Sequence, residues 1–116
     1  MKYMMLIYLE NLVSEQLEAG EAEPRDVESV EPWVEEMDGR GVRLMGYPLR
    51  PLAEASSVRV RGQEVLVSDG PFTETKEFIV GFDLLECKDL AEATEVASKH
   101  PLAKFGRMEL RELVED

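Results

Sequence analysis

The chain holds 116 residues, with 25 acidic against 13 basic side chains, one cysteine and one histidine, for a formal net charge of -12. This length supports a single domain, 1–116, with a core of modest size. An acid-rich chain is a poor partner for nucleic-acid phosphates, no apolar run approaches the ~18 residues of a membrane span, and one Cys with one His cannot assemble a sulfur and nitrogen zinc site, so no nucleic acid, membrane, metal or cofactor is expected.

Residues 2–9 are apolar on both alternating faces, with Met4, Leu6 and Tyr8 on one and Tyr3, Met5, Ile7 and Leu9 on the other. Lys2 ahead of an apolar run has the outline of a signal peptide, but a small-residue cleavage site is missing and Glu10 cuts the run. A first strand in a cytoplasmic protein is therefore expected. A strand apolar on both faces is covered on both. A domain with only two or so helices covers one face from within, and the other face then meets a second copy of the chain, which predicts a homodimer.

From Glu10 to Asp38 the sequence has eleven acidic residues and one basic residue, Arg25, whereas the rest balances fourteen acids with twelve bases. The acidic stretch reads as a solvated helix face with its loop, or as a surface for a basic partner. Around residues 26–30 an earlier turn or helix is expected. Pro32 suits the first turn of a helix with Trp33, Val34 and Met37 as its apolar stripe, and Asp38-Gly39-Arg40-Gly41 ends it. Val42 to Tyr47 resumes as strand, and Pro48 with Pro51 confines the following residues to a connector.

Ser57–Arg61 and Glu64–Ser68, joined by Gly62-Gln63, form a β-hairpin whose valines are expected in the core, with Arg59 and Arg61 alternating between them. Phe78 to Cys87 is a strand, apolar at Val80, Phe82 and Leu84, and Cys87 is an inert, partly buried thiol. Asp89 and Glu92 make a capping box for a second helix with Leu90, Ala93, Thr94 and Ala97 on one side. Lys99 and His100 suit its C-terminal end, and Pro101 stops it. Phe105 to Val114 is the last strand, with Met108 and Leu110 on one face and Arg107, Glu109 and Arg111 on the other. Without the hairpin, the order is the βαββαβ of a ferredoxin-like split fold, in the α+β class.

Ser68 to Glu77 sets a tight turn and four ionisable side chains, Asp69, Glu74, Lys76 and Glu77, beside two strands. Its core, Asp69-Gly70-Pro71-Phe72, resembles the signature of the DGPF proteins, a branch of the YCII-related family. The likeness looks nearly full length, through the Met1-Lys2-Tyr3-Met4 opening, Trp33, Gly46 to Pro51, Val58-Arg59, Gly81-Phe82, Asp89-Leu90 with Ala93, His100-Pro101 and Met108-Glu109-Leu110-Arg111. The resemblance implies a ferredoxin-like fold with an inserted hairpin, paired as a dimeric α/β barrel. DGPF-type domains also resemble partners of extracytoplasmic-function sigma factors. The YCII branch with a proposed active site has a His on the first helix and an Asp before the proline that follows the second. Here His100 occupies that pre-proline position and the first-helix region has no His, so the pair is not reproduced and enzymatic activity stays open.

Candidate chemistry centres on a few residues. Asp69 either accepts backbone N–H bonds to hold the Gly70-Pro71 turn or serves as a general base or ligand anchor. Phe72 is a core plug or a stacking platform, and Lys76 pairs with Glu74 or Glu77 or orients an anion. His100 is an acid or base near neutral pH, or a C-terminal cap. Arg59 and Arg107 either form ion pairs or line a polar cavity, since guanidinium suits carboxylate and phosphate. The favoured reading is a dimer that binds a small molecule, with an anion as the class considered, in a cleft bordered by the motif, Arg59 and His100. The alternatives are an acid–base enzyme using Asp69 and His100, and a regulatory module for a protein partner.

Overall fold

The computed structural model describes residues 1–10, 29–69 and 77–115. Nine-residue strand β1 (Lys2–Glu10) is followed by α1 (Glu31–Gly39), β2 (Arg43–Pro48), β3 (Ser56–Arg61), β4 (Glu64–Asp69), β5 (Glu77–Glu86), α2 (Leu90–Ser98) and β6 (Gly106–Glu112). Short 3-10 turns at Leu52–Glu54 and Pro101–Lys104 complete the described elements. The main sheet is antiparallel with order β2-β5-β1-β6, while β3 and β4 form a separate two-stranded sheet. The chain is thus α+β, with antiparallel sheets and two helices among the described residues, compatible with a ferredoxin-like fold.

Alternation along β1 decides where the core lies. Tyr3, Met5, Ile7 and Leu9 are buried, and all but Leu9 join Trp33 and Met37 of α1, Leu85 of β5, and Ala93, Val96 and Ala97 of α2 in one cluster. Both helices therefore cover the same sheet face. The other face carries Met4, Leu6 and Tyr8, paired across to Leu84, Phe82 and Ile79 of β5 and to Arg111, Glu109 and Arg107 of β6. Those three β1 side chains are only partly buried in a single copy.

Local chemistry explains the helix ends. Pro32 sits in the first turn of α1, where a missing N–H costs nothing, and Gly41 takes a left-handed φ of 72° beyond its end. Asp89 accepts from the Glu92 N–H at 2.9 Å, while the Glu92 carboxylate accepts from the Lys88 N–H at 3.0 Å, one residue earlier than in the usual capping box. Trp33 Nε1 donates to the Val96 carbonyl at 3.0 Å, which ties α1 to α2 inside the core. Outside, Arg40 and Lys99 share Glu36 and Glu95 across the same two helices, and the Arg40 hydrogen bond foremost holds the Glu95 carboxyl down to about 2.

Several expectations change. On α2 the buried positions are Ala93, Val96 and Ala97, whereas Leu90, the first helical residue, is 56% exposed and Thr94 is exposed. The β1–β5 register shifts between Ile7 and Tyr8, making Val80 the extra, bulged residue. The bulge reverses the expected alternation, so Gly81, Asp83 and Leu85 are buried and Val80 packs at the margin of the core. The hairpin forms with Gly62 at φ 62°, but its valines are not core: Val58, Val60, Val65 and Val67 are 57–65% exposed and share one face. An apolar alternation shows which side chains share a face, and says nothing about whether anything covers them. Residues 70–76 of the motif and the proposed turn at 26–28 lie outside the described residues.

Candidate functional site

The most chemically distinctive place in the described structure is a pocket of about 240 Å3 where α1, β2, β5 and the turn after α2 converge. Its walls are mainly apolar, with Ile7, Val30, Val34, Val80 and Leu102 among them, and its polar side chains come from Arg43, Asp83 and His100, with Tyr47 also in the lining.

Asp83 is 5% exposed on β5 and faces the helices, an unusual position for a carboxylate. It is accommodated by two features of β2. Gly46 lies opposite it in register, and a Cβ there would collide with the Asp83 carboxyl. Arg43, at the start of the same strand, donates from Nε to Asp83 Oδ1 at 2.8 Å, from Nη1 to Asp38 Oδ1 at 3.1 Å and from Nη2 to the Gly46 carbonyl at 3.3 Å. Burial pushes the Asp83 carboxyl above its ordinary range, and the Arg43 hydrogen bond works in the opposite direction. The fixed guanidinium supplies the partner that water cannot and so favours the ionised carboxylate against the cost of burial.

His100 follows α2 with an extended backbone, and its role differs from the expected helix C-cap. The C-cap is Lys99; the His100 ring caps the next turn, its Nδ1 accepting from the Leu102 N–H at 3.1 Å. Its ring packs edge-on against Trp33 with centroids 4.7 Å apart, only 3% of the residue is exposed, and burial pushes its pKa down to about 4. Near neutral pH the imidazole is therefore uncharged, so it contributes little to the helix dipole.

The other sequence candidates lie elsewhere. Asp69 is exposed at the end of β4 and Arg59 is exposed on β3; neither lines this pocket. Arg107 belongs to the open sheet face, where Nε donates to Glu77 at 2.7 Å and Nη1 to Glu109 at 3.2 Å, with the guanidinium carbon 4.0 Å from the Tyr8 ring centre. Gly70, Pro71, Phe72 and Lys76 lie outside the described residues. Cys87 is 2% exposed and burial raises its thiol pKa, which disfavours the reactive thiolate. No group of three or more His, Cys, Asp or Glu among the described residues is arranged to hold a metal, and no described helix is long and apolar enough to cross a membrane.

Sequence reasoning found His100 but missed Arg43, Gly46 and Asp83. One signal was present: Asp83 interrupts the otherwise apolar run Val80-Gly81-Phe82-Asp83-Leu84-Leu85. Its partners depend on register and bulges, which one strand's sequence does not carry.

Fold and pocket together define a small α+β domain with a largely apolar cleft that contains a partly buried ion pair. Residues 1–115 match the YCII-related domain family, and the chain belongs to that family. It is also similar to an uncharacterized protein of Rhizobium meliloti (strain 1021), at 45% identity over 49 residues, which is 42% of this chain and 40% of that protein. The match thus spans well under two thirds of the relative's length.

Proposed function

We propose that the chain is a small-molecule-binding domain of the DGPF branch, acting as a homodimer, with its ligand held in the pocket of Arg43, Asp83 and His100. The observation that carries this reading is a charged pair and an uncharged imidazole in one partly enclosed, mainly apolar cleft, the usual combination of a binding site. An ion pair buried solely for stability is a poor investment, since apolar residues of similar volume commonly do as well. Binding is preferred to catalysis because an imidazole with a pKa of about 4 is a weak base at neutral pH.

A second copy is assigned to the open sheet face. Met4, Leu6, Phe82 and Leu84 are central there, and Met45 and Tyr47 remain 42% and 62% exposed at the β2 edge. Along β6, Arg107, Glu109 and Arg111 present alternating charges, a pattern that complements itself under two-fold symmetry.

A fragment screen by protein NMR, using small anionic, cationic and neutral ring compounds, tests the pocket. Hits should shift the backbone signals of Val34, Val80, Asp83 and His100, and the pocket-filling variant Val34→Trp should abolish those shifts. No pocket hit in any charge class, or hits that survive Val34→Trp, would refute the pocket as a binding site.

A further inference from the structure

The hydrogen bonds already made inside the pocket specify what is left for a ligand. His100 Nδ1 accepts from the Leu102 N–H at 3.1 Å, so in the neutral ring the proton resides on Nε2. Nε2 makes no hydrogen bond to the described residues, and His100 is among the residues lining the pocket. It is an available donor. Asp83 presents the converse: Oδ1 holds Arg43 Nε, while Oδ2 makes no hydrogen bond to the described residues, and Asp83 is among the residues lining the pocket. That oxygen is an available acceptor.

Arg43 has little left to offer an anion. Three of its five N–H donors are taken by Asp83, Asp38 and the Gly46 carbonyl, and two carboxylates already face its single charge, so the limit on an anion is charge rather than donor number. An incoming carboxylate or phosphate would meet Asp83 with no uncommitted cation among the pocket's lining residues. A cation would compete with Arg43 for a carboxylate already in a charge-assisted bond. An uncharged ligand avoids both conflicts and satisfies both free atoms. Its bulk must be apolar to meet Ile7, Val30, Val34, Val80 and Leu102, and a pocket of about 240 Å3, below the roughly 300–1,000 Å3 of typical ligand sites, limits it to about one ring.

Resting on the pocket reading above, we infer that the ligand is a small uncharged molecule joining an apolar ring to both an N–H or O–H donor and a carbonyl-type acceptor, of which a primary aromatic amide is the simplest form. The donor addresses Asp83 Oδ2 and the acceptor addresses His100 Nε2–H. A site built around such paired atoms rejects analogues that leave one unmatched far more strongly than it rejects changes in apolar size.

Benzamide, benzoate and benzamidinium share one ring and nearly one shape but differ in charge, so NMR titration of the wild-type protein at pH 7 with each is the test. Benzamide should shift Val34, Val80 and the single imidazole resonance with a Kd at least fivefold lower than either charged analogue. Asp83→Asn, which relieves the repulsion of an anion, should narrow or reverse the preference for benzamide over benzoate. His100→Phe, which removes the donor while keeping a ring beside Trp33, should weaken benzamide at least fivefold, with circular dichroism confirming the fold of both variants. Equal or tighter binding of benzoate or benzamidinium to the wild type would overturn the inference, as would failure of benzamide to reach the pocket signals. Where the broader fragment screen still returns pocket hits, the uncharged-ligand class falls alone; where that screen is empty, the pocket reading falls with it.

Discussion

Replacing Gly46 by alanine should destabilise the protein through a carboxylate on the neighbouring strand. A Cβ at position 46 would overlap the Asp83 carboxyl and approach the Phe82 carbonyl oxygen to 2.9 Å. The backbone oxygen cannot swing aside, so the carboxyl must move, and its Oδ1 is the atom that accepts from Arg43 at 2.8 Å. Overpacking costs about 1–3 kcal/mol, and loss of one partner in a buried pair costs about 3–5 kcal/mol. Arg43 keeps Asp38, and a displaced Asp83 can take up a proton, so the low ends of those ranges apply and the expected loss is about 2–4 kcal/mol. In urea, with a slope of about 1–1.5 kcal/mol/M, the unfolding midpoint should fall by roughly 2 M. The cause is isolated by repeating the change in an Asp83→Ala background, where the obstructing carboxyl is gone, only the Phe82 carbonyl contact remains, and Gly46→Ala should cost at least about 1 kcal/mol less than in the wild type, a coupling expected of residues in contact. A Gly46→Ala protein within about 0.5 kcal/mol of wild type, or an equal cost in both backgrounds, would refute the reasoning.

His100 should give a distinct pH signature. Its folded pKa of about 4 lies below the ordinary 6.5, so the unfolded chain binds the proton first, and the stability contributed by the neutral ring is full above about pH 6.5 and lost progressively towards pH 4. Asp83 acts in the opposite sense, because a raised carboxyl takes up its proton more readily in the folded state and its contribution to stability rises as pH falls through that raised pKa. Chemical denaturation of wild type and His100→Phe across pH 7 to 4 should show the acid loss reduced in the variant, and direct NMR titration of the only imidazole in the chain should give a midpoint well below 6. The open sheet face gives the third prediction: sedimentation equilibrium should return twice the chain mass for wild type and a single chain mass for Leu6→Glu, whose carboxylate would be buried without a partner at a two-fold contact. A monomeric wild type would remove the assignment of a second copy to that face.

Local signals in the chain were enough for most of the elements. Alternation in residues 2–9 and 105–114, Pro32 and Pro101 at helix boundaries, the Asp89 cap and the Gly62 turn each act over a few residues, so the strand, helix and hairpin assignments follow from the sequence itself. His100 was also legible as a candidate, because a lone imidazole beside a proline is conspicuous. Its protonation was not: that is set by Trp33, 67 positions away along the chain, and by the burial that α1 and α2 impose together.

Tertiary structure decided the rest for one physical reason: pairing and coverage are properties of two elements at once. The bulge at Val80 moved Asp83 to the helix-covered face, and only the β2–β5 register placed Gly46 opposite it and Arg43 within reach. The hairpin valines show the same limit, since their alternation is written in the sequence while their 57–65% exposure depends on what stands beside them. Sequence by itself determined the α+β elements and their order, because those are local; the partners of the buried charge, and hence the chemistry of the pocket, exist only once separate strands have chosen their register.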